Sequence, residues 1–156
     1  MRRRQMEITP MQLADLDELT EIEVEAFNSP GARRIFADEL DRDWAYVDVV
    51  RARGGDGASS VVAYCNYWVV RDEIHLLNIA TRPTLRRQGQ ASDLLDHLLA
   101  VARRRACRYI TLEVRRSNAA AIALYEKYGF EAVGMRPKYY AETGEDAIVM
   151  TLELAE

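Results

Sequence analysis

What the chain has little of narrows its class first. Cys65 and Cys107 are the only cysteines in 156 residues, and they form no CxxC pair. Both fall in apolar, strand-like runs. They offer neither a disulfide framework nor a metal site, and they read as reduced core thiols of a cytosolic, cytoplasmic protein. Histidine is equally scarce. His75 and His97 stand alone and read as packing or surface residues without an assigned role. No apolar run approaches the roughly 20 residues of a membrane span, so no membrane partner is expected. The start, MRRRQMEITP, is basic and lacks the apolar segment of a secretory signal, so residues 1–5 are expected to form a flexible basic tail. No internal repeat, low-complexity tract or linker interrupts the chain, and its length suits one domain spanning 1–156. Positive charge is not in excess either. With 21 Lys and Arg against 25 Asp and Glu, the net charge of −4 argues against nucleic acid as a direct partner.

The periodicities that are present define an order of elements. MEIT reads as a first strand. ADLDELTEIEVEAFN places Leu13, Leu16, Leu19, Ile22 and Ala26 at helical spacing, with Asp15 and Glu18 as a capping box. SPGARRIFADEL reads as a second helix, with Ser29 as N-cap and Pro30 at the first helical position. AYVDVVRA and SVVAYCNYWVV are strands joined through RGGDGAS, and EIHLLNIAT is the next. QASDLLDHLLAVARRR is a helix with Leu94, Leu95, Leu98, Leu99 and Ala102 along one face. RYITLEV is a strand, and NAAAIALYEKYGF is a helix closed by Gly129. EAVGMRPKYY and AIVMTLEL form a last antiparallel pair around the acidic loop AETGED. The order β-α-α-β-β-β-α-β-α-β-β is that of a mixed α/β domain with helices covering a central sheet.

Positive charge is concentrated locally. Arg82, Arg86 and Arg87 crowd the stretch TRPTLRRQGQA between a strand and a helix. A helix N-terminus presents free backbone N–H groups and the positive end of the macrodipole, a ready anion site. Gly89 lets the backbone approach a phosphate, Ala91 keeps the next position small, and Arg86 and Arg87 add charge. RRQGQA therefore suits a pyrophosphate cradle; a basic loop that merely turns into a helix is the plainer alternative. The P-loop ending GK[ST] and the dinucleotide pattern GxGxxG are both missing, which argues against a nucleoside triphosphate or NAD. In TLEVR, Glu113 alternates with apolar Leu112 and Val114 and so faces the other side of its strand, as a buried-flanked base or as a solvated carboxylate. Tyr139 and Tyr140 point to opposite faces by the same alternation, so only one can face a substrate. Asn118 suits a helix N-cap.

Arg86-x-x-Gly89-x-Ala91 matches the Gln/Arg-x-x-Gly-x-Gly/Ala motif of the GCN5-related N-acetyltransferases, the GNAT superfamily. NIATRPTLRRQGQASDLLDHLL, ITLEVRRSNAAAIALYEKYGF and RPKYYAETGEDAIVM, in that order, resemble the RimI-type branch, the ribosomal-protein-alanine N-acetyltransferases, and the catalytic subunits of protein N-terminal acetyltransferases. The resemblance implies a single-domain GNAT fold whose central sheet is splayed at the cofactor site, with helices on both faces. It implies acetyl transfer from acetyl-coenzyme A to an amine, with no metal. The backbone of Arg87, Gln88, Gly89, Gln90 and Ala91 would hold the pyrophosphate. The pantetheine arm would pair with the strand Ile79-Ala80-Thr81, splayed from RYITLEV, and touch Asn118. The N–H near Ile79 would polarise the thioester carbonyl.

An amine attacks only when neutral, and an N-terminal amine, with a pKa of about 7.7–8.0, is largely protonated at neutral pH. A base is needed, and the resemblance assigns that role to Glu113. It assigns the acid that meets the departing thiolate to Tyr125, leaving Tyr128 to pack. It also assigns Tyr139 to the acceptor peptide, while Glu142, Glu145 and Asp146 either attract a basic peptide or are simply solvated. The implied acceptor is a protein N-terminus, such as that of a small-subunit ribosomal protein beginning with alanine. Lysine ε-amines and small-molecule amines are the alternatives. EAFNSPGARR departs here from the Pro-Trp-Ser of many RimI-type sequences, which bears on the acceptor more than on the reaction. A non-catalytic acyl-CoA-binding module is disfavoured by the joint presence of Glu113 and Tyr125.

Overall fold

Alternating apolar residues pair into a seven-stranded sheet in the order β1-β2-β3-β4-β5-β7-β6. In this computed structural model, which describes residues 5–27, 31–54, 58–83 and 89–154, the strands are β1 (Gln5–Pro10), β2 (Ala45–Arg53), β3 (Ser59–Val70), β4 (Glu73–Thr81), β5 (Tyr109–Arg115), β6 (Glu131–Tyr140) and β7 (Glu145–Glu153). The helices are α1 (Leu16–Phe27), α2 (Ala32–Leu40), α3 (Gln90–Arg104) and α4 (Ala119–Lys127), with a 3₁₀ turn at Leu13–Asp15 ahead of α1. The element order is the one read from the sequence. β1 starts at Gln5, the last residue of the expected tail, and residues 1–4 lie outside the described residues. The chain divides into two compact units, Met1–Trp68 with Asn78–Leu98, and Val69–Leu77 with Leu99–Glu156.

In the first unit, β1 and β3 flank β2 in antiparallel ladders. Leu19 and Ile22 of α1, Phe36 of α2, Val49, Val61 and Tyr64 are fully or almost fully buried together. Each large apolar side chain removed from water in this way contributes about 1.5–3 kcal/mol. Phe36 meets the Tyr64 ring edge-on at 5.2 Å. Adjacent β3 residues show helices on both faces: Trp68 Nε1 donates to Glu39 of α2 at 2.9 Å, while Tyr67 donates to Asp48, which also binds His97 of α3 at 2.8 Å.

Two caps differ from expectation. Asp15 does not cap α1 with Glu18. Its carboxylate accepts from the Gln12 amide at 2.8 Å and from Arg51, while Glu18 accepts from the Val61 amide. Burial works to raise the Asp15 carboxyl, and the bonds from Arg51 and Gln12 outweigh it, leaving it below its ordinary value. The N-cap of α2 is Gly31, at φ +75°, and the expected cap Ser29 with Pro30 lies outside the described residues.

In the second unit, β4 and β5 are parallel from Glu73↔Tyr109 to Leu76↔Leu112, while β4 itself runs on to Thr81 and β5 to Arg115. β7 inserts between β5 and β6, pairing antiparallel with both. Ile110, Leu112 and Val114 are buried, which puts Thr111, Glu113 and Arg115 on the other face of β5. Gly129, at φ +97°, closes α4 in the left-handed conformation that suits glycine. Both cysteines are free and buried, although Cys107 sits just ahead of β5 rather than within a strand. Among the described residues, no helix is long and apolar enough to cross a membrane.

Candidate active site

Glu113 projects from β5 into a polar cluster within the second unit. His75 of β4 pairs with Thr111, so Glu113 lies two residues along on the same face. The result is a hydrogen bond of 2.6 Å between His75 Nε2 and Glu113 Oε2. On its other oxygen, Oε1, Glu113 meets Arg136 Nε of β6 at 3.5 Å. Only 11% of the Glu113 side chain is exposed. The His75 hydrogen bond holds its carboxyl below the ordinary value. Burial opposes this, and the charge of Arg136 adds to the lowering. Glu113 is therefore a carboxylate throughout the neutral range.

Three tyrosines complete the cluster, and here alternation misleads. Tyr139 and Tyr140 were expected on opposite faces, yet their rings meet edge-on at 5.1 Å. Lys138 has φ +52°, and the β6–β7 register shifts between Arg136 and Tyr140. That bulge breaks the period of two. Tyr139 is 48% exposed, and both phenols lie close enough to feel the Glu113 charge. Arg115 lies over the Tyr140 ring at 4.0 Å. Tyr125 of α4 packs against Phe130 at 5.6 Å, and burial, with Tyr140 as a second cause, pushes its phenol up to about 12. Burial raises the Tyr140 phenol to about 12, and it lies near enough to Tyr125 and Glu113 for charge to act between them.

The acidic residues beyond β6 are largely engaged. Glu145 and Asp146 belong to β7, not to a loop. Glu145 accepts from the Ser117 amide at 2.7 Å, and Asp146 from the Lys138 amide at 3.0 Å. Arg115 lies near Glu142 and Glu145, and Arg116 near Asp146. This local pairing weakens any pull on a basic peptide. Asn118 is the α4 N-cap, its Oδ1 accepting from the Ala121 amide at 3.1 Å.

The expected anion site belongs to the first unit. Gly89 stands immediately before α3 with φ +87°, and nothing lies within 4 Å of where a Cβ would be. Its carbonyl accepts from the Asp93 amide, which starts the helix. Gln90 is 4% exposed, and its Oε1 is buried without a hydrogen-bond partner. An open left-handed glycine at the head of a 15-residue helix, beside an unsatisfied buried acceptor, fits a diphosphate-bearing ligand with amide groups. Arg86, Arg87 and Gln88 lie outside the described residues. Arg82 does not serve this site: its guanidinium donates to the Val61 carbonyl at 2.7 Å and pairs with Glu18 and Glu21 of α1. On β4, Ala80 is buried and Ile79 and Thr81 are half-buried. Among the described residues, no group of three or more His, Cys, Asp or Glu side chains is placed to hold a metal ion.

His75, left without a role by the sequence, and Arg136, not singled out there, both stand against Glu113 in the structure. A signal for His75 was present: aligning the apolar pairs of IHL and ITLE gives the observed register.

The description "Acetyltransferase (GNAT) family" matches residues 15–130. The [ribosomal protein bS18]-alanine N-acetyltransferase of Escherichia coli (strain K12) is 37% identical over 150 residues, covering 95% of this chain and 97% of that one. The crystal structure of the ribosomal-protein-S18-alanine N-acetyltransferase from Escherichia coli matches with a TM-score of 0.84 at 34% identity, over 97% of this chain and 96% of that one. Ard1 from Thermoplasma volcanium matches with a TM-score of 0.82 at 26% identity, over 97% and 99% of the two chains. The chain belongs to the GNAT acetyltransferase family and is an N-acetyltransferase.

Proposed function

We propose that this protein is a cytosolic, single-domain enzyme that acetylates protein N-terminal α-amines from acetyl-coenzyme A, with the N-terminal alanine of ribosomal protein bS18 as acceptor. The observation that carries the reading is the Glu113 carboxylate, held ionised by His75 and Arg136 beside Tyr139 and Tyr140. The acceptor follows the Escherichia coli relative that carries that name.

Acetyl-coenzyme A supplies the activated acetyl group as a thioester. Gly89, Gln90 and Ala91 would hold its diphosphate on backbone N–H groups, and the sequence assigns Arg86, Arg87 and Gln88 to the same ligand. The backbone of Ile79, Ala80 and Thr81 pairs with the pantetheine arm, and the Asn118 amide nitrogen, not used in the cap, adds a contact. Glu113 receives a proton from the acceptor ammonium, directly or through water, so that the neutral nitrogen can attack. Tyr125 stays a phenol at neutral pH and so always has a proton to offer the departing sulfur. A phenol near 12 is a weaker acid than a thiol of about 8.5, so its main contribution is a hydrogen bond to the developing thiolate. Tyr139 holds the acceptor backbone through its hydroxyl.

Tandem mass spectrometry of products from peptides with a free N-terminal alanine tests the reading. Acetyl is expected on the α-amine, and a blocked N-terminus is expected to abolish the reaction even where lysines are present. Acetyl found only on lysine or on small amines would overturn the acceptor while leaving acetyl transfer in place.

A further inference from the structure

The His75 imidazole stands against Glu113 at 2.6 Å, a distance at which a carboxylate oxygen and a ring nitrogen must share a proton, since two bare lone pairs would repel. The contact is built into the fold by the parallel register of β4 and β5. The side chains are 28% and 11% exposed, open enough for proton exchange and closed enough to couple strongly. We propose that Glu113 and His75 act as one proton-accepting pair, in which His75 is a positioning residue that works through the carboxylate and holds the acceptor amine's proton. This rests on the acetyl-transfer reading above.

The balance is simple. Before the reaction the pair shares the proton that lies between the Glu113 oxygen and the His75 nitrogen. It takes one further proton from the ammonium. The freed nitrogen lone pair forms the new N–C bond, the C–S bond breaks with its electrons leaving on sulfur, and the second nitrogen proton, shed as the amide forms, passes to that sulfur to give the thiol.

A lone carboxylate held low is a poor resting place for a proton taken from an amine of about 7.7–8.0. An imidazole bonded to that carboxylate can keep the proton in the neutral range. Among the described contacts, Arg136, Tyr139 and Tyr140 of β6 lie near the pair, with Arg115 of β5 stacked on the last. The guanidinium groups keep their charge and both phenols are pushed upward, so none of these four groups titrates between about pH 5 and 8.

His75→Gln keeps an N–H donor for Glu113 Oε2 and removes the group that can hold a proton. The pH profile of kcat/KM for an N-terminal peptide is expected to show an acid limb between about pH 5 and 8 in the parent. In His75→Gln that limb should move down towards the carboxylate range near about 4.3. The value at neutral pH should fall by about 10- to 100-fold. Acetyl-coenzyme A affinity and the thermal midpoint should stay parental. An unmoved acid limb would overturn the pair and leave His75 a hydrogen-bond donor only. If the parent acetylates no peptide α-amine, the functional reading fails by itself, and the pair is judged by NMR. The Glu113 carboxyl carbon should then show a second inflection between about pH 5 and 8 in the parent and lose it in His75→Gln. The same single inflection in both would overturn the pair without reference to activity.

Discussion

At the start of α3 the groups on offer are backbone dipoles and one glycine; around Glu113 they are side chains from three strands and a helix. The first region depends on what is missing, a Cβ at a position with φ +87°. The second depends on four elements delivering His75, Glu113, Arg136 and the tyrosines to one place. A backbone site tolerates change in most of its side chains and is broken by one bulky residue at the glycine. A side-chain site is the reverse: the fold survives polar replacements while the proton chemistry does not.

The largest effect is expected where proton transfer is removed. Glu113→Gln keeps the shape and one of the two acceptor oxygens, removes the proton-accepting charge, and should cost about 10²–10⁴-fold in turnover, with acetyl-coenzyme A affinity unchanged by calorimetry. Tyr125→Phe should cost toward the lower end of that range, because the phenol supplies a hydrogen bond more than a full proton. Steady-state rates near the parental value for both variants would remove the catalytic assignment from the second region.

Gly89→Glu tests the first region on the opposite axis. A side chain in the left-handed conformation costs about 1–2 kcal/mol, and the added carboxylate repels a diphosphate. Acetyl-coenzyme A should bind at least about tenfold more weakly, while turnover at saturating cofactor stays near parental. Unchanged affinity in a calorimetric titration would break the phosphate-cradle reading.

Tyr139→Ala should give the smallest change. One hydrogen bond of about 0.5–1.5 kcal/mol raises the peptide KM up to about tenfold, with acetyl-coenzyme A affinity left alone. A fall in turnover without a change in KM would instead join Tyr139 to the proton-handling groups.

The two regions also differed in how far the sequence revealed them. TRPTLRRQGQASDLL is contiguous, so the strand, the glycine and the helix start could be read from neighbouring residues, and β4 and β6 span the residues expected of them. Glu113 was legible because alternation with Leu112 and Val114 is local to one strand. The partners of Glu113 were not. His75 precedes it by 38 residues, with α3 in between, and meets it only through a parallel ladder. Arg82 shows the same limit from the other side. It looked like part of a basic anion site by proximity in sequence, and α1 claims it through Glu18 and Glu21.

Local sequence determined the order of strands and helices, the glycine-opened head of α3 and the inward turn of alternating apolar residues in β5. Each of these follows from φ/ψ preference or from side-chain period over a few residues. Tertiary structure decided the insertion of β7 between β5 and β6, the bulge at Lys138 that brings Tyr139 and Tyr140 together, and the pairing of His75 with Glu113. Those depend on which strand edges meet and in what register. Register is chosen by the burial of whole faces at once, a sum over distant residues that no short stretch of the chain contains.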